Sequence, residues 1–315
     1  MLIFIVRRLL ALIPLMLIVS FLVFSLVLFL PGDPAAAIAG GPDATPEKIE
    51  QVREELGLDQ PVVVQYWNWL KDALRGDFGN SLYTDRSVSS ELQRRFPITF
   101  SVAIGAIAVS ITIGVAGGII AGLRQGRLAD RGVTFLTSIG LAIPSFWLAL
   151  MLVILFAVNL RWLQAIGYVP FQDNPEEWAK HLIMPWIALG LGAAASVARQ
   201  VRGALVDVLD QDYIRTARSK GLSSRSVIGK HAMKNAAMPA ITVLGIQFAY
   251  LLGGTVIIES IFSIPGLGTY IVSAISGRDL PVIQGTVLMM AVIFVLLNLL
   301  VDVLYAVVNP KVRLT

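Results

Sequence analysis

Apolar residues fall into six long runs, at about Leu9–Leu30, Ile98–Leu123, Val133–Val158, Leu182–Ala198, Ala240–Phe262 and Val282–Val308. Roughly 20 apolar residues in a helix cross the hydrocarbon core of a bilayer, and each run is near that length. In lipid a backbone must satisfy its own hydrogen bonds, which a helix does. The pattern predicts an all-α polytopic membrane protein with six transmembrane helices. The fourth run is short and carries Pro185, so its ends are the least sharply marked. Arg7 and Arg8 precede the first run as they would in a signal peptide. That run exceeds the roughly 7–15 residues of a signal-peptide core, and no cleavage pattern follows it directly, so it reads as an uncleaved span.

Polar segments divide the rest. Residues 1–30 form a short N-terminus and the first span, 31–97 a helical cap, and 98–315 a five-helix core whose 199–237 loop is polar. Within the cap, TPEKIEQVREELG has Thr45 as an N-cap, Pro46 at the first helical position and Gly57 just past the end. Ile49, Val52 and Leu56 share one face. QPVVVQYWNWLKDALRG repeats the design, with Pro61 at the start, Gly76 at the stop and a stripe of Val62, Tyr66, Trp69 and Ala73. The cap reads either as a tethering loop or, preferably, as a docking surface for an external partner.

Composition sharpens the class: 56% of residues are hydrophobic and 15% charged, where a soluble domain carries about a quarter charged. There is no cysteine, which excludes disulfides, thiolate metal sites and a cysteine nucleophile. With six spans both termini share a side, and the cations choose it. Arg7, Arg8, Arg124, Arg127, Arg131, Arg199, Arg202, Arg215, Arg218, Lys220, Arg225, Lys230, Lys234, Lys311 and Arg313 all fall on one side, 15 of the 25 cations. By the positive-inside rule that side is the cytoplasm, giving N-in, C-in. The cap is then extracytoplasmic.

The densest basic stretch is DYIRTARSKGLSSRSVIGKHAMKNAAMP, Asp212–Pro239. DVLDQDYIRTARSKG reads as one helix with apolar Val208, Leu209, Tyr213, Ile214 and Ala217, stopped by Gly221 at the C′ position. Ser223 caps a second helix that opens with Val227 and Ile228. A lipid-headgroup anchor would explain the charge but not the ordered turn. A DNA-binding helix–turn–helix has a similar cadence, yet spans close on both sides would hinder groove entry, so no nucleic acid is expected. The third reading is a cytoplasmic docking element that passes force from another subunit into the flanking spans.

Here the sequence resembles a known family. RTARSKG followed by KHAMKNAAMP is similar to the EAA loop of bacterial ABC-importer permeases, with Arg215-Thr216-Ala217 at the Glu-Ala-Ala position and Gly221 at the family's glycine. That departure, with His231 and Pro239, is typical of the dipeptide, oligopeptide and nickel subgroup. RRLL…FLPGDPA, LGLDQPVVVQYWNWLKDALRGDFGNSL, AIPSFWLAL, ESIFSIPGLG and NLLVDVLYAVVNPKVR resemble its B-type permease subunit over nearly the whole chain. The resemblance implies a type I ABC-importer permease fold in the bacterial inner membrane and import of a dipeptide, oligopeptide or related small solute. It implies a homologous second permease, two cytoplasmic ATPase subunits or domains, an extracytoplasmic substrate-binding protein and surrounding membrane lipid as partners. ATPase-coupling residues would be Tyr213, Arg215, Thr216, Ala217, Lys220, Gly221, Leu222, Ser223, Val227 and His231.

No phosphate-binding G-x-x-x-x-G-K-[ST] occurs, so ATP and Mg would be used by the partner ATPases, and no cofactor is expected on this chain. No catalytic cluster or metal motif is apparent, and His181 and His231 fall on opposite membrane sides, so the chain reads as a transport subunit and not an enzyme. Glu259 and Asp302 lie at span ends, where an acid either locks helix ends or marks a path. Glu259, with Pro144, Ser145, Phe146 and Trp147 in the third span, is a candidate lining of the translocation path. Gly114, Gly118 and Gly122 are spaced for close helix packing. The rival reading is a self-contained ion-gradient-driven transporter or channel. The few intramembrane ionisable groups and the dedicated cytoplasmic loop weigh against it.

Overall fold

The computed structural model describes residues 2–29, 35, 45–55, 57 and 59–308. Among the described residues the α-helices of eight residues or more are, in chain order, α1 Leu2–Phe29, α2 Pro46–Glu55, α3 Val62–Leu74, α4 Val88–Leu123, α5 Leu128–Ala142, α6 Ser145–Leu152, α7 Pro175–Leu209, α8 Asp212–Ser219, α9 Met233–Phe262, α10 Leu267–Gly277 and α11 Leu280–Val308. No strand occurs among the described residues beyond an isolated bridge between Asn80 and Ser87. Among the described residues five helices are long and apolar enough to cross a membrane, and α5 with α6 supplies a sixth span if the bent pair counts as one.

Several boundaries differ from the sequence pattern. The third span is not one helix: it bends by 98° between α5 and α6. Pro144 is the cause, since a proline disfavours helical backbone at the preceding residue; Ile143 is extended at ψ 120. The fourth span is far longer than its apolar run, because Asn174 accepts from the amides of Glu176 and Glu177 and Pro175 opens the helix. At its other end α7 continues through Arg199 to Leu209. The helix expected from Asp207 to Gly221 is broken at Asp210-Gln211, where Gln211 turns extended before α8. The second span begins at Val88, inside the segment expected to be cap. α10 has no counterpart among the predicted elements.

The chain forms two compact units. The first holds residues 97–269 and 296–308, with α7 at its centre. Of the most apolar stretch of α7, 67% is buried, against 17–39% for the other four long helices. Val102, Ala106, Leu182, Met184, Ala188, Leu189, Leu251, Ile258 and Phe262 make its main core. The predicted glycine face of α4 packs there: a Cβ on Gly114 would lie 2.7 Å from the Ala194 carbonyl, and one on Gly118 2.7 Å from the Ala198 carbonyl. Small residues thus let α4 and α7 approach at backbone distance. Exposed Ile104, Ile120, Leu150, Ile246 and Leu296 lie on its apolar outer faces.

The second unit holds residues 2–96 and 270–295. Thr45 caps α2 through the Lys48 amide, and Gly57 is left-handed at φ +64. α3 ends as the sequence suggests, with Gly76 at φ +82 and Asp77 N–H donating to Asp72 O. Its buried stripe is Tyr66 and Leu70 with Trp69, packed on Phe24 of α1; Tyr66 and Trp69 belong to the predicted stripe, Leu70 joins them, Ala73 is half-buried and Val62 is exposed. Tyr66 Oη and Ser20 Oγ are 2.9 Å apart. Ser81 donates to Asp279 at 2.6 Å, and the Arg95 guanidinium stacks on Tyr270 at 4.5 Å. Leu56 lies outside the described residues.

Candidate functional site

At one end of the first unit the predicted turn is built from one helix stop and one helix start. α8 closes in a Schellman geometry: Gly221 N–H donates to Arg218 O at 2.9 Å and Leu222 N–H to Ala217 O at 3.3 Å. Gly221 sits at φ +77, the left-handed region that glycine tolerates best. Ser223 Oγ then accepts from the Ser226 amide and starts the next helix. That helix opens as Ser224–Ser226, passes through a π-helical stretch Val227–Ala232 and continues as α9.

The turn stands on an apolar foot. Ile214 and Ala217 of α8 are buried with Val227, Ala232, Ala236 and, from α7, Ala204 and Leu205. The opposite face is open: Arg215, Thr216, Arg218, Lys220, Gly221, Leu222, Ser223 and Arg225 are all exposed, Leu222 by 42%. Tyr213 is 43% exposed, and its hydroxyl accepts from Asn235 Nδ2 at 2.7 Å. Arg215 pairs loosely with Asp212 at 3.3 Å, and Thr216 Oγ1 donates to Asp212 O. His231 is half-buried in the π-helical stretch. Of the ten predicted coupling residues, Ala217 and Val227 are in the foot. Arg215, Thr216, Lys220, Gly221, Leu222 and Ser223 lie on the exposed face, with Leu222 its apolar member, while Tyr213 and His231 flank it.

Two polar contacts that the sequence reading did not single out brace this end. Asp130, 4% exposed, accepts a two-pronged contact from Arg202 that includes Nη2 to Oδ2 at 2.8 Å. Its Oδ2 also accepts from the Gly126 amide at 2.8 Å, so one carboxylate pins the α4–α5 turn to α7. Nothing in the linear pattern pairs residues 72 positions apart. Asn235 lay within the quoted basic stretch, but its tie to Tyr213 depends on the reversal at Gly221.

The predicted path residues separate into two settings. Pro144 caps α6 at the 98° bend, Ser145 is half-buried, and Phe146 and Trp147 are 47% and 45% exposed. Ser145 borders a cavity of about 380 Å³ lined mainly by Gly117, Val133, Gly140, Leu148, Gly192 and Ala195. Glu259 is fully buried, and its carboxylate holds the start of α10: Oε2 accepts from the Gly268 and Thr269 amides, and Oε1 from Thr99 Oγ1. Its carboxylate thereby caps the first turn of α10. Among the described residues no group of three or more His, Cys, Asp and Glu could hold a metal ion.

The described residues thus form a bundle of helices long and apolar enough to cross a membrane, with a braced, cation-rimmed helical turn at one end. The chain belongs to the binding-protein-dependent transport system inner membrane component family. The family's model matches residues 114–314, and the model of the N-terminal part of such membrane components matches residues 1–103. A peptide transport system permease protein of Brucella abortus is 47% identical over 309 residues, 98% of each chain. The glutathione transport system permease protein of Escherichia coli K12 is 44% identical over 313 residues, 99% of each. The fold is similar to that of the MetNI methionine ABC transporter in an inward-facing conformation. The TM-score is 0.56 at 18% identity, covering 69% of this chain and 96% of that one. The chain is a multi-pass inner-membrane protein and the permease component of an ATP-driven importer. The expected fold class and family hold, and the self-contained ion-driven transporter is set aside.

Proposed function

We propose that the chain forms one half of the translocation path of an importer for peptides or a peptide-like solute such as glutathione. Its partners are a homologous second permease, two cytoplasmic ATPase subunits or domains and an extracytoplasmic binding protein. The chain supplies no nucleotide site of its own; ATP and Mg act on the ATPase subunits. Both termini are cytoplasmic, the 31–97 segment faces outward, and the Gly221 turn within the 199–237 segment seats an ATPase subunit. Relatives named as peptide and glutathione transport system permeases support the solute class.

The observation that carries the coupling role is the turn itself. Its apolar residues are consumed in a foot shared with α7 and α9, yet Leu222 stays exposed at the tip among Arg218, Lys220 and Arg225. An apolar tip with a cationic rim is the composition of a protein interface, where a dry centre supplies contact and a charged rim supplies register. Because the foot joins α8 to both flanking spans, a push on the tip becomes a rigid-body movement of those spans, as alternating access requires. Leu222→Asp would bury an unpaired charge in that centre. Purified from its native membrane, the Leu222→Asp complex is expected to lose most of its ATPase subunits while the permease stays inserted. Full ATPase stoichiometry in that variant would refute the docking role. Mass spectrometry of small molecules released from the intact parent complex with its binding protein identifies the solute, and a non-peptide solute would overturn that part of the proposal.

A further inference from the structure

Glu259 is a fully buried carboxylate at the outer end of the helix that leaves the Gly221 turn. Three amides open α10, and an unpartnered helix start leaves such donors orphaned. Here side chains from elsewhere take all three: Leu267 N–H donates to Thr99 Oγ1 at 2.8 Å, Gly268 N–H to Glu259 Oε2 at 2.7 Å and Thr269 N–H to the same oxygen at 3.1 Å. Thr99 closes the ring by donating to Glu259 Oε1 at 2.7 Å. One carboxylate and one hydroxyl therefore tie α4, α9 and the first turn of α10 together.

The corner is built to hold this ring. Ser263 adopts φ 51, and Ile264 N–H donates to Glu259 O, so the chain reverses tightly after α9. Ile264 and Leu267 are buried on either side of Pro265 and Gly266. A Cβ on Gly266 would lie 2.5 Å from the Glu259 carboxylate, and one on Gly268 2.5 Å from the Val256 backbone. Both positions are therefore closed to any larger residue while the carboxylate stays in place. A negative group at a helix N-terminus is favoured by the helix dipole, and a buried one needs such donors to be tolerated.

From Ser224 to Phe262 the chain is a single run of 39 helical residues, roughly 55–60 Å long. We infer that Glu259, with Thr99, is a positioning residue that makes the outer ends of α9 and α4 and the start of α10 move as one body, so that a stroke entering at the Gly221 turn arrives outside as a rigid displacement. The inference rests on the coupling role proposed above. It assigns Glu259 to a joint, in place of solute contact.

The test uses the complete importer, with spin labels on cysteines at Ile104 of α4 and Ser260 of α9. Both positions are exposed, and the chain has no native cysteine. In the parent, the 104–260 distance should be narrow and should keep the same value without nucleotide and after trapping with ATP and vanadate. Glu259→Ala and the near-isosteric Thr99→Val should broaden it. Glu259→Gln should retain it, since its carbonyl accepts from both amides while its NH2 donates to Thr99. Binding-protein-stimulated ATP hydrolysis per assembled complex should fall about tenfold in Glu259→Ala and stay within about twofold in Glu259→Gln. A 104–260 distance that shifts on trapping in the parent would overturn the inference, as would unchanged distributions in Thr99→Val and Glu259→Ala. If Glu259→Ala fails to assemble, Thr99→Val decides. The comparison without nucleotide reads the joint alone, so it stands or falls separately from ATPase docking at Gly221.

Discussion

Gly221→Val isolates the turn from everything around it. A Cβ at Gly221 would meet nothing within 4 Å and the residue is exposed, so the substitution acts chiefly through backbone conformation. At φ +77 an L-residue costs about 1–2 kcal/mol, with β-branched valine at the upper end. The alternative is to leave the left-handed region and give up the Gly221–Arg218 and Leu222–Ala217 hydrogen bonds. Each is worth roughly 0.5–1.5 kcal/mol net, so escape costs about as much. A cost near 2 kcal/mol lowers the native turn's population relative to its alternatives by about 30-fold. Insertion and the buried foot should be unaffected, because the residue is exposed. The assay is purification with the ATPase subunits, then binding-protein-stimulated ATP hydrolysis and solute accumulation in vesicles. Valine should uncouple hydrolysis from accumulation, and Gly221→Asn, which tolerates the left-handed region, should recover most of it. Equal impairment by valine and asparagine, or none by either, would refute the conformational argument.

Three further outcomes follow from the same geometry. Asp130→Ala strips a partner from Arg202, whose side chain is 32% exposed and can recruit water, so the loss should be about 2–3 kcal/mol, read as a lower thermal midpoint of the purified complex. Gly118→Val would press a Cβ to within 2.7 Å of the Ala198 backbone carbonyl, and the α4–α7 contact should loosen by about 1–3 kcal/mol or more, seen as reduced assembled yield. Single cysteines at Thr45 and Asp173 should label from outside the cell with an impermeant reagent and those at Gln125 and Ser224 should not; outside labelling at 224 would overturn the proposed orientation.

Much of the membrane architecture is legible in the linear pattern, because lipid exposure demands apolar length and little else. α9 and α11 fall where their runs lie for that reason. The extent of α7 was hidden, because its polar ends are held by Asn174 at one end and by the foot at the other, and neither contributes hydropathy. The bend at Pro144 was visible as a proline, but its 98° angle depends on packing of α5 and α6 against α7. The Gly221 turn was readable because glycine, Ser223 and the following Val227 carry local conformational rules. The Glu259 joint was half readable: a lone acid at a span end marks cost, while Thr99 is one of several hydroxyls in an apolar helix and lies 160 residues away. α10 was missed because its 11 residues are too few to span, and its start is fixed by those distant side chains.

The central claim is that the Gly221 turn is where an ATPase subunit sits. A cysteine at Leu222, the only one in this chain, can carry a short photo-crosslinker in the intact importer, with a cysteine at Tyr83 in the second unit, itself 70% exposed, as the control. The expected result is an adduct between the permease and the ATPase subunit from position 222 and none from position 83. An importer that keeps its ATPase subunits attached, yet yields no such adduct from position 222, would contradict the claim.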